Sequence, residues 1–335
     1  MTADAAVLSP TTASSSAVVA AAARDGLLRP HGKKQLPPWL FYDDEGSLLF
    51  EEITRLDAYY LTRAERSIFQ AHADAIIAAA ARGATDALKV VELGAGTALK
   101  SQILLSAVVR RQGRCLFVPI DVSAAALDLA RERLVEQEPL VEVRALAMHN
   151  EEAFAEVRAL GPRRLVLFIG SSIGNLNDDD AVVLLRQIKD SLLPGGALLL
   201  GTDRLKDPAK ILAAYDDDEG VTARFNLRAL HHLNEVLGAD FNVDRFVHRA
   251  VWNAERSRVE MHLQSVGAQR VTLGVGPRGG ADVVVDFADG ERIHTESSHK
   301  YSEEKVASLL ARAGFTLEQT WMDSDELFAV HLGRA

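Results

Sequence analysis

Short apolar runs rich in β-branched residues alternate with stretches of helical spacing through the middle of the chain. Leu88 to Leu93, Leu116 to Ile120, Val141 to Ala147, Arg164 to Ile169 and Ala197 to Gly201 read as buried strands. Between them, Lys100 to Arg110, Ala124 to about Val135 and Asp178 to Leu192 repeat apolar residues at helical intervals. Ser123 is placed to cap the second of these helices, and Asp178, Asp179 and Asp180 suit the dipole in the first turn of the third. Repeated β-α units of this kind predict a parallel, doubly wound sheet. The first strand runs into Glu92-Leu93-Gly94-Ala95-Gly96-Thr97, where the glycines mark an abrupt turn. With no Cβ in the way, the backbone there can approach a ligand closely. A strand, glycine turn and helix in this order bind a nucleotide-like cofactor at the carboxyl edge of the sheet.

The flanking regions read differently. Residues up to about Arg29 are rich in Ala, Ser and Thr and lack the basic and Leu-rich regions of a secretory signal, so residues 1–35 read as a mobile tail. Pro37-Pro38 with Trp39, Phe41 and Tyr42 predicts a non-helical, docked segment, followed by a short helix from Gly46 to Leu56. Thr62 and Glu65 match a capping box for a helix running to about Ala81. After Thr202 the β-α pattern stops. Lys206 to Tyr215 and Ala223 to Leu237 read as helices, and Arg245 to Trp252, Arg258 to Ser265, Arg270 to Gly274 and Asp282 to Phe287 as antiparallel strands. The pattern returns near Tyr301, with Ser302 capping a helix to Ala313 and a final strand from Phe328 to Leu332. An insertion of that length is a subdomain rather than a loop. The expected division is therefore residues 61–203 with 299–335 for the sheet, and 36–60 with 204–298 for the insertion.

Composition narrows the function. Of 335 residues, 48% are apolar and 25% charged, ordinary for a globular protein. The net charge of −10 and the absence of a dense Lys/Arg run argue against a nucleic-acid partner. No apolar run approaches the ~18 residues of a membrane span. The single cysteine, Cys115, reads as a small core hydrophobe and suits a reducing, cytoplasmic compartment. The histidines at 294 and 299 fit no metal-ligand spacing, so no metal is expected.

The glycine turn is not a Walker loop, and Leu99 stands where a dinucleotide fingerprint has its third glycine. What remains is E-x-G-x-G-T with Asp121 at the end of the second strand, a carboxylate suited to ribose hydroxyls. With the Leu193-Pro194-Gly195-Gly196 turn and the closing strands, these elements resemble the class I S-adenosylmethionine-dependent methyltransferases. The expected fold is thus α/β, a doubly wound Rossmann-like methyltransferase sheet with an inserted α+β substrate-binding subdomain. The resemblance narrows at Phe41-Tyr42-Asp43, Tyr59-Tyr60, Thr62-Arg63-Ala64-Glu65, Gly170-Ser171-Ser172-Ile173-Gly174-Asn175, Gly201-Thr202-Asp203, Tyr215-Asp216-Asp217, Phe225-Asn226, Glu260-Met261 and Thr295-Glu296-Ser297-Ser298. These stretches look like the ergothioneine-pathway histidine Nα-methyltransferases, which convert L-histidine to its trimethylammonium betaine, hercynine.

That resemblance implies roles. Gly94, Lys100 and Asp121 would hold the methionine and ribose parts of the donor. Asn175 and Tyr59 would hold the amino acid backbone, Tyr215 its carboxylate, and Tyr42 would lie near the amine. Glu296 and Ser298 would grip the imidazole, with Met261 beside it. The chemistry is consistent, since tyrosine hydroxyls and an asparagine amide serve a zwitterion without adding charge. A carboxylate and a hydroxyl can fix both sides of an imidazole. Two departures stand out: Met148-His149-Asn150 replaces the family's Gly-Asp-Phe, leaving His149 or Asn150 for the adenine edge, and Leu61 replaces a proline. The expected reaction is in-line displacement by the α-amino nitrogen, with Tyr42 or Tyr59, directly or through water, as proton relay. A monomer acting on a small amino acid is expected. Alternatives are methylation of a tryptophan derivative, methylation of the histidine ring nitrogen, or a non-catalytic module that binds methyl donor or histidine.

Overall fold

A computed structural model describes residues 16–82, 87–148, 150–193, 195–274 and 283–335. In chain order come helices α1 (Ser16–Leu27), α2 (Asp44–Ile53) and α3 (Leu61–Ala80). Then β1 (Lys89–Leu93), α4 (Ser101–Gln112), β2 (Cys115–Asp121), α5 (Ala124–Gln137), β3 (Val141–Val143), β4 (Leu146–Ala147), α6 (Asn150–Ala159), β5 (Arg164–Phe168), α7 (Asp178–Ser191) and β6 (Ala197–Asp203) alternate. Next are α8 (Pro208–Ala213), α9 (Val221–Leu237), β7 (Phe246–Asn253), β8 (Arg258–Ser265), β9 (Gln269–Leu273), β10 (Val283–Phe287) and β11 (Arg292–His299). The chain closes with α10 (Glu303–Ala313), β12 (Thr316–Met322) and β13 (Phe328–Arg334). It divides into two compact units, Leu61–Leu205 with His299–Ala335, and the chain up to Tyr60 with Lys206–Ser298.

In the first of these units the strands lie in the order β12-β13-β6-β5-β1-β2-β3, with β4 also paired to β2. β1, β2, β3, β5 and β6 are mutually parallel, whereas β13 runs antiparallel to both β6 and β12. This is a doubly wound, Rossmann-like sheet, as the β-α pattern predicts. Its central strands are mostly apolar because both faces are covered, with Glu92 and Arg164 as buried exceptions. Val91, Val118, Val166 and Leu198 belong to a core shared with Val182, Leu185 and Ile188 of α7 and Val306, Leu309 and Leu310 of α10. The alternate residues Val90, Phe117, Leu165 and Leu199 are equally buried. The strand expected over 141–147 is two pieces, because Arg144 breaks from the ladder while its N–H still bonds Phe117 C=O at 2.9 Å.

The second unit holds an antiparallel pair β7-β8 extended by β11, a β9-β10 hairpin, and α9 against β7 and β8. Residues 16–35, expected as part of a mobile tail, are instead packed. Val19, Ala23 and Leu27 recur at four-residue intervals in an Ala-rich segment of high helix propensity, and all three are fully buried. The chain then lies parallel to β11, with Leu36 N–H donating to His294 C=O at 2.8 Å and His294 N–H to Lys34 C=O at 2.9 Å. Beneath it Lys34 pairs with Glu291 at 2.5 Å, both buried.

Candidate active site

In the sheet unit, strand order reverses between β1 and β5, so the turns leaving those two strands flank the crevice where open α/β sheets bind ligands. Gly94 and Gly96 follow β1 with φ of +65° and +50°, and a Cβ on either would meet nothing within 4 Å. That open space in front of the backbone is what a closely approaching ligand requires. Asp121, at the end of β2, accepts from Gly96 N–H at 2.8 Å and from Ser123 N–H at 2.9 Å. Each oxygen engages one backbone donor and retains a lone pair for a ribose hydroxyl. Lys100 precedes α4 and pairs with Glu65, leaving 23% of its side chain exposed. Two hydroxyl acceptors, an ammonium and an open glycine turn fit a nucleoside carrying an amino acid tail. His149 lies outside the described residues, as do the side chain of Asn150 and Pro194 of the expected turn.

Asn175 ends the turn that follows β5 and is exposed. Its approach is unusual, since Gly170 and Ser171 both adopt left-handed conformations, φ +74° and +59°. The turn is held at several points. Glu65 accepts from Gly170 N–H at 2.8 Å, Asp203 N–H donates to Ser171 Oγ at 2.9 Å, and Tyr301 Oη donates to Ile173 C=O at 3.1 Å. His299 Nδ1 donates to Gly174 C=O at 2.9 Å, the carbonyl being able only to accept. Asp203 pairs in turn with Lys300 at 2.8 Å, both side chains fully buried. Thr62 and Glu65 do not form the expected capping box. α3 already begins at Leu61, and the Glu65 carboxylate serves Gly170 and Lys100 instead.

The second unit gathers the aromatic candidates. Phe50 stands between Tyr42 and Tyr59, with ring centroids 5.7 and 6.3 Å away, and Tyr59 meets Tyr215 at 6.3 Å. Phe225 packs against Tyr42 at 5.2 Å. Tyr215 Oη shares a hydrogen bond of 2.7 Å with Ser298 Oγ. Either oxygen can donate, so the pair can redirect one hydrogen toward a ligand. Glu296, two residues before Ser298 on β11, is buried to 7% exposure. Met261 pairs with Ala250 across β7-β8, and Leu263 pairs with His248 on the same face. His248 Nε2 donates to Tyr215 C=O at 2.8 Å, which leaves its Nδ1 to accept from Asn226 Nδ2 at 2.9 Å. Burial lowers the pKa of His248, in keeping with a neutral ring.

Several of these positions were not readable as site residues. Glu65 reads from the sequence as half of a capping box, and its lying inside the apolar stripe of Leu61, Ala64, Ile68 and Phe69 is the one sign of a buried role. His248 and Asn226 lie on different elements, and β11 shows no apolar alternation at all. Asp43, His232 and Glu235 bring ligand-type atoms within 4.8 Å, but Arg228 already occupies the group, bonding Asp43 at 2.7 Å and Glu235 at 2.7 Å. Burial opposes charge on Asp43, yet hydrogen bonds from His232, Arg228 and Gly46 N–H outweigh it and hold its carboxyl well below the usual range.

Comparison with known proteins bears on what these groups do. A family model described as histidine-specific methyltransferase, SAM-dependent, matches residues 19–335. The chain is 42% identical over 299 residues to a histidine N-alpha-methyltransferase of Mycobacterium tuberculosis, covering 89% of this chain and 90% of that protein. It is 31% identical over 316 residues to ergothioneine biosynthesis protein 1 of Neurospora crassa, covering 91% of this chain and 34% of that one. Among solved structures, an S-adenosylmethionine-dependent methyltransferase from Clostridium acetobutylicum aligns with 79% of this chain and 91% of its own, at a TM-score of 0.43 and 12% identity.

Proposed function

Because this chain belongs to the histidine-specific, S-adenosylmethionine-dependent methyltransferase family, we propose that it methylates the α-amino nitrogen of L-histidine, through to hercynine, in ergothioneine biosynthesis. The observation that carries the choice of substrate is Glu296, a buried residue two positions before Ser298 on β11, where Ser298 bonds the Tyr215 hydroxyl. A buried acceptor rejects side chains that cannot donate to it far more strongly than a missing methylene would. Glu296 and Ser298 take the imidazole, Tyr215 the carboxylate, Asn175 and Tyr59 the backbone, and Met261 packs beside the ring.

When bound, S-adenosylmethionine supplies an electrophilic methyl group on a sulfonium sulfur. Lys100, Gly94 and Asp121 hold its methionine and ribose parts, and His149 or Asn150 the adenine edge. The chain must also hold the substrate nitrogen in line and unprotonated, since the ammonium form has no lone pair. Tyr42, or Tyr59, relays that proton, directly or through water, its hydroxyl oxygen accepting it while its own hydrogen passes on to solvent water, and positioning supplies much of the acceleration. Displacement of a sulfonium methyl needs no metal. Among the described residues no helix is long and apolar enough to cross a membrane. The lone Cys115, whose thiol burial pushes up to about 12, suits the reducing cytoplasm, and a monomer suffices for the reaction. Incubation with S-adenosylmethionine and L-histidine should yield hercynine by mass spectrometry, with fragments placing every methyl on the amino nitrogen. Ring-methylated histidine, or turnover of tryptophan in preference to histidine, would refute the assignment.

A further inference from the structure

We propose that Glu65 is a positioning residue that ties the donor-holding lysine to the turn carrying Asn175. This rests on the reading of Lys100 as a holder of the donor's methionine part. Glu65 is fully buried on the apolar stripe of α3, a costly place for a carboxylate unless charge and hydrogen bonds compensate it. Its partners are two functional turns. Lys100 Nζ donates to Oε2, and Gly170 N–H donates to Oε1 at 2.8 Å and Oε2 at 3.1 Å. Those turns leave β1 and β5, which are neighbours at the switch point of the sheet, so one carboxylate spans both.

Three further observations fit a built arrangement. A Cβ at Gly201 on β6 would overlap Glu65 Oε1 and come within 3.2 Å of Ile169 Cα, so the strand omits a side chain where the carboxylate sits. A Cβ at Gly170 would lie 3.3 Å from Lys100 Nζ, which places the ammonium against the turn itself. The Lys100 side chain nevertheless stays partly exposed. An ammonium has three donors, so one can be fixed by Glu65 while others remain for a ligand carboxylate. Glu65 thereby sets the direction of Lys100 and anchors the entry of the left-handed Gly170-Ser171 turn with the same group.

The test is a double-mutant cycle of Glu65→Gln and Lys100→Met, with donor affinity read by calorimetry and melting temperature read alongside. The glutamine amide keeps a carbonyl for Gly170 N–H but offers no charge to Lys100. Glu65→Gln should weaken donor binding about tenfold in the otherwise unaltered protein and by less than about twofold in the Lys100→Met background. Melting temperature should fall in the otherwise unaltered protein and fall less, or rise, in the Lys100→Met background, where the buried carboxylate has already lost its counter-charge. Equal factors on affinity in the two backgrounds, with Lys100→Met itself effective, would overturn the role of Glu65 alone. A Lys100→Met variant with undiminished affinity would overturn the assignment of Lys100 and this proposal together. Should Glu65→Gln fail to fold, Glu65→Asp keeps the charge but is too short to reach both turns. Comparing its effect on affinity with and without Lys100 then separates the same outcomes.

Discussion

Gly201 lies on a strand buried along its whole length, and its missing side chain is a packing requirement rather than a turn signal. Gly201→Ala should cost roughly 1–3 kcal/mol in urea unfolding, because Glu65, Ile169 and Phe328 leave no room for a methyl. Glu92, in the glycine-turn motif, is a second residue whose environment overrides its type. Burial pushes its carboxyl up to about 8, with Ser101 donating to it. The folded state therefore keeps a proton that the unfolded chain releases near pH 4.5. Stability from this group is fully present below that value and is lost as pH rises through about 8. Glu92→Gln should flatten the fall in unfolding free energy over that window, a change on the order of a few kcal/mol. The acid itself was legible as part of a motif. Its protonation was not, because burial by distant elements sets it.

At the scale of elements, spacing foretold the β-α units because each buries alternate or helical positions in a core, and periodicity reports that directly. Among the elements it missed, α1 and β11 escaped for opposite reasons. Helix α1 carries a clear apolar stripe, but its Ala-rich composition imitates a tail. Val19→Asp should lower the melting temperature sharply, with a loss of roughly 2–4 kcal/mol, since the charge would have no partner at a fully buried position. A variant as stable as the parent would mean that the helix does not pack. Strand β11, Arg-Ile-His-Thr-Glu-Ser-Ser-His, lacks any apolar alternation and is buried by what pairs with it. Its polar residues are the ones proposed to read the substrate. Glu296→Gln should raise the KM for histidine by about tenfold or more, with donor affinity measured by calorimetry unchanged. Equal losses for histidine and for an amino acid without a ring N–H would count against Glu296 as the imidazole acceptor.

For the molecule as a whole, each unit holds a histidine in neutral form, His331 buried and His294 half-buried. His294 and His331 are both held down to about 4, chiefly by burial. His331 is further occupied by Thr202 Oγ1 at 2.9 Å and Thr320 Oγ1 at 3.0 Å. Their pKa is depressed on folding, so the stability they contribute is present above about pH 6.5 and is lost as pH falls toward 4. In the Glu92→Gln background, where the opposing carboxyl is removed, the melting temperature should climb between about pH 4 and 6.5. A level profile would show that the two rings are not held neutral. Sequence alone determined the layered α/β class, the glycine turn at Gly94 and Gly96, and the family, because periodicity and local turn chemistry are written in neighbouring residues. Only the tertiary structure decided that Glu65 joins Lys100 to Gly170, that His248 holds Tyr215, and that residues 16–35 are packed. Those facts depend on which distant segments meet, and burial and pairing across such distances leave no local pattern to read.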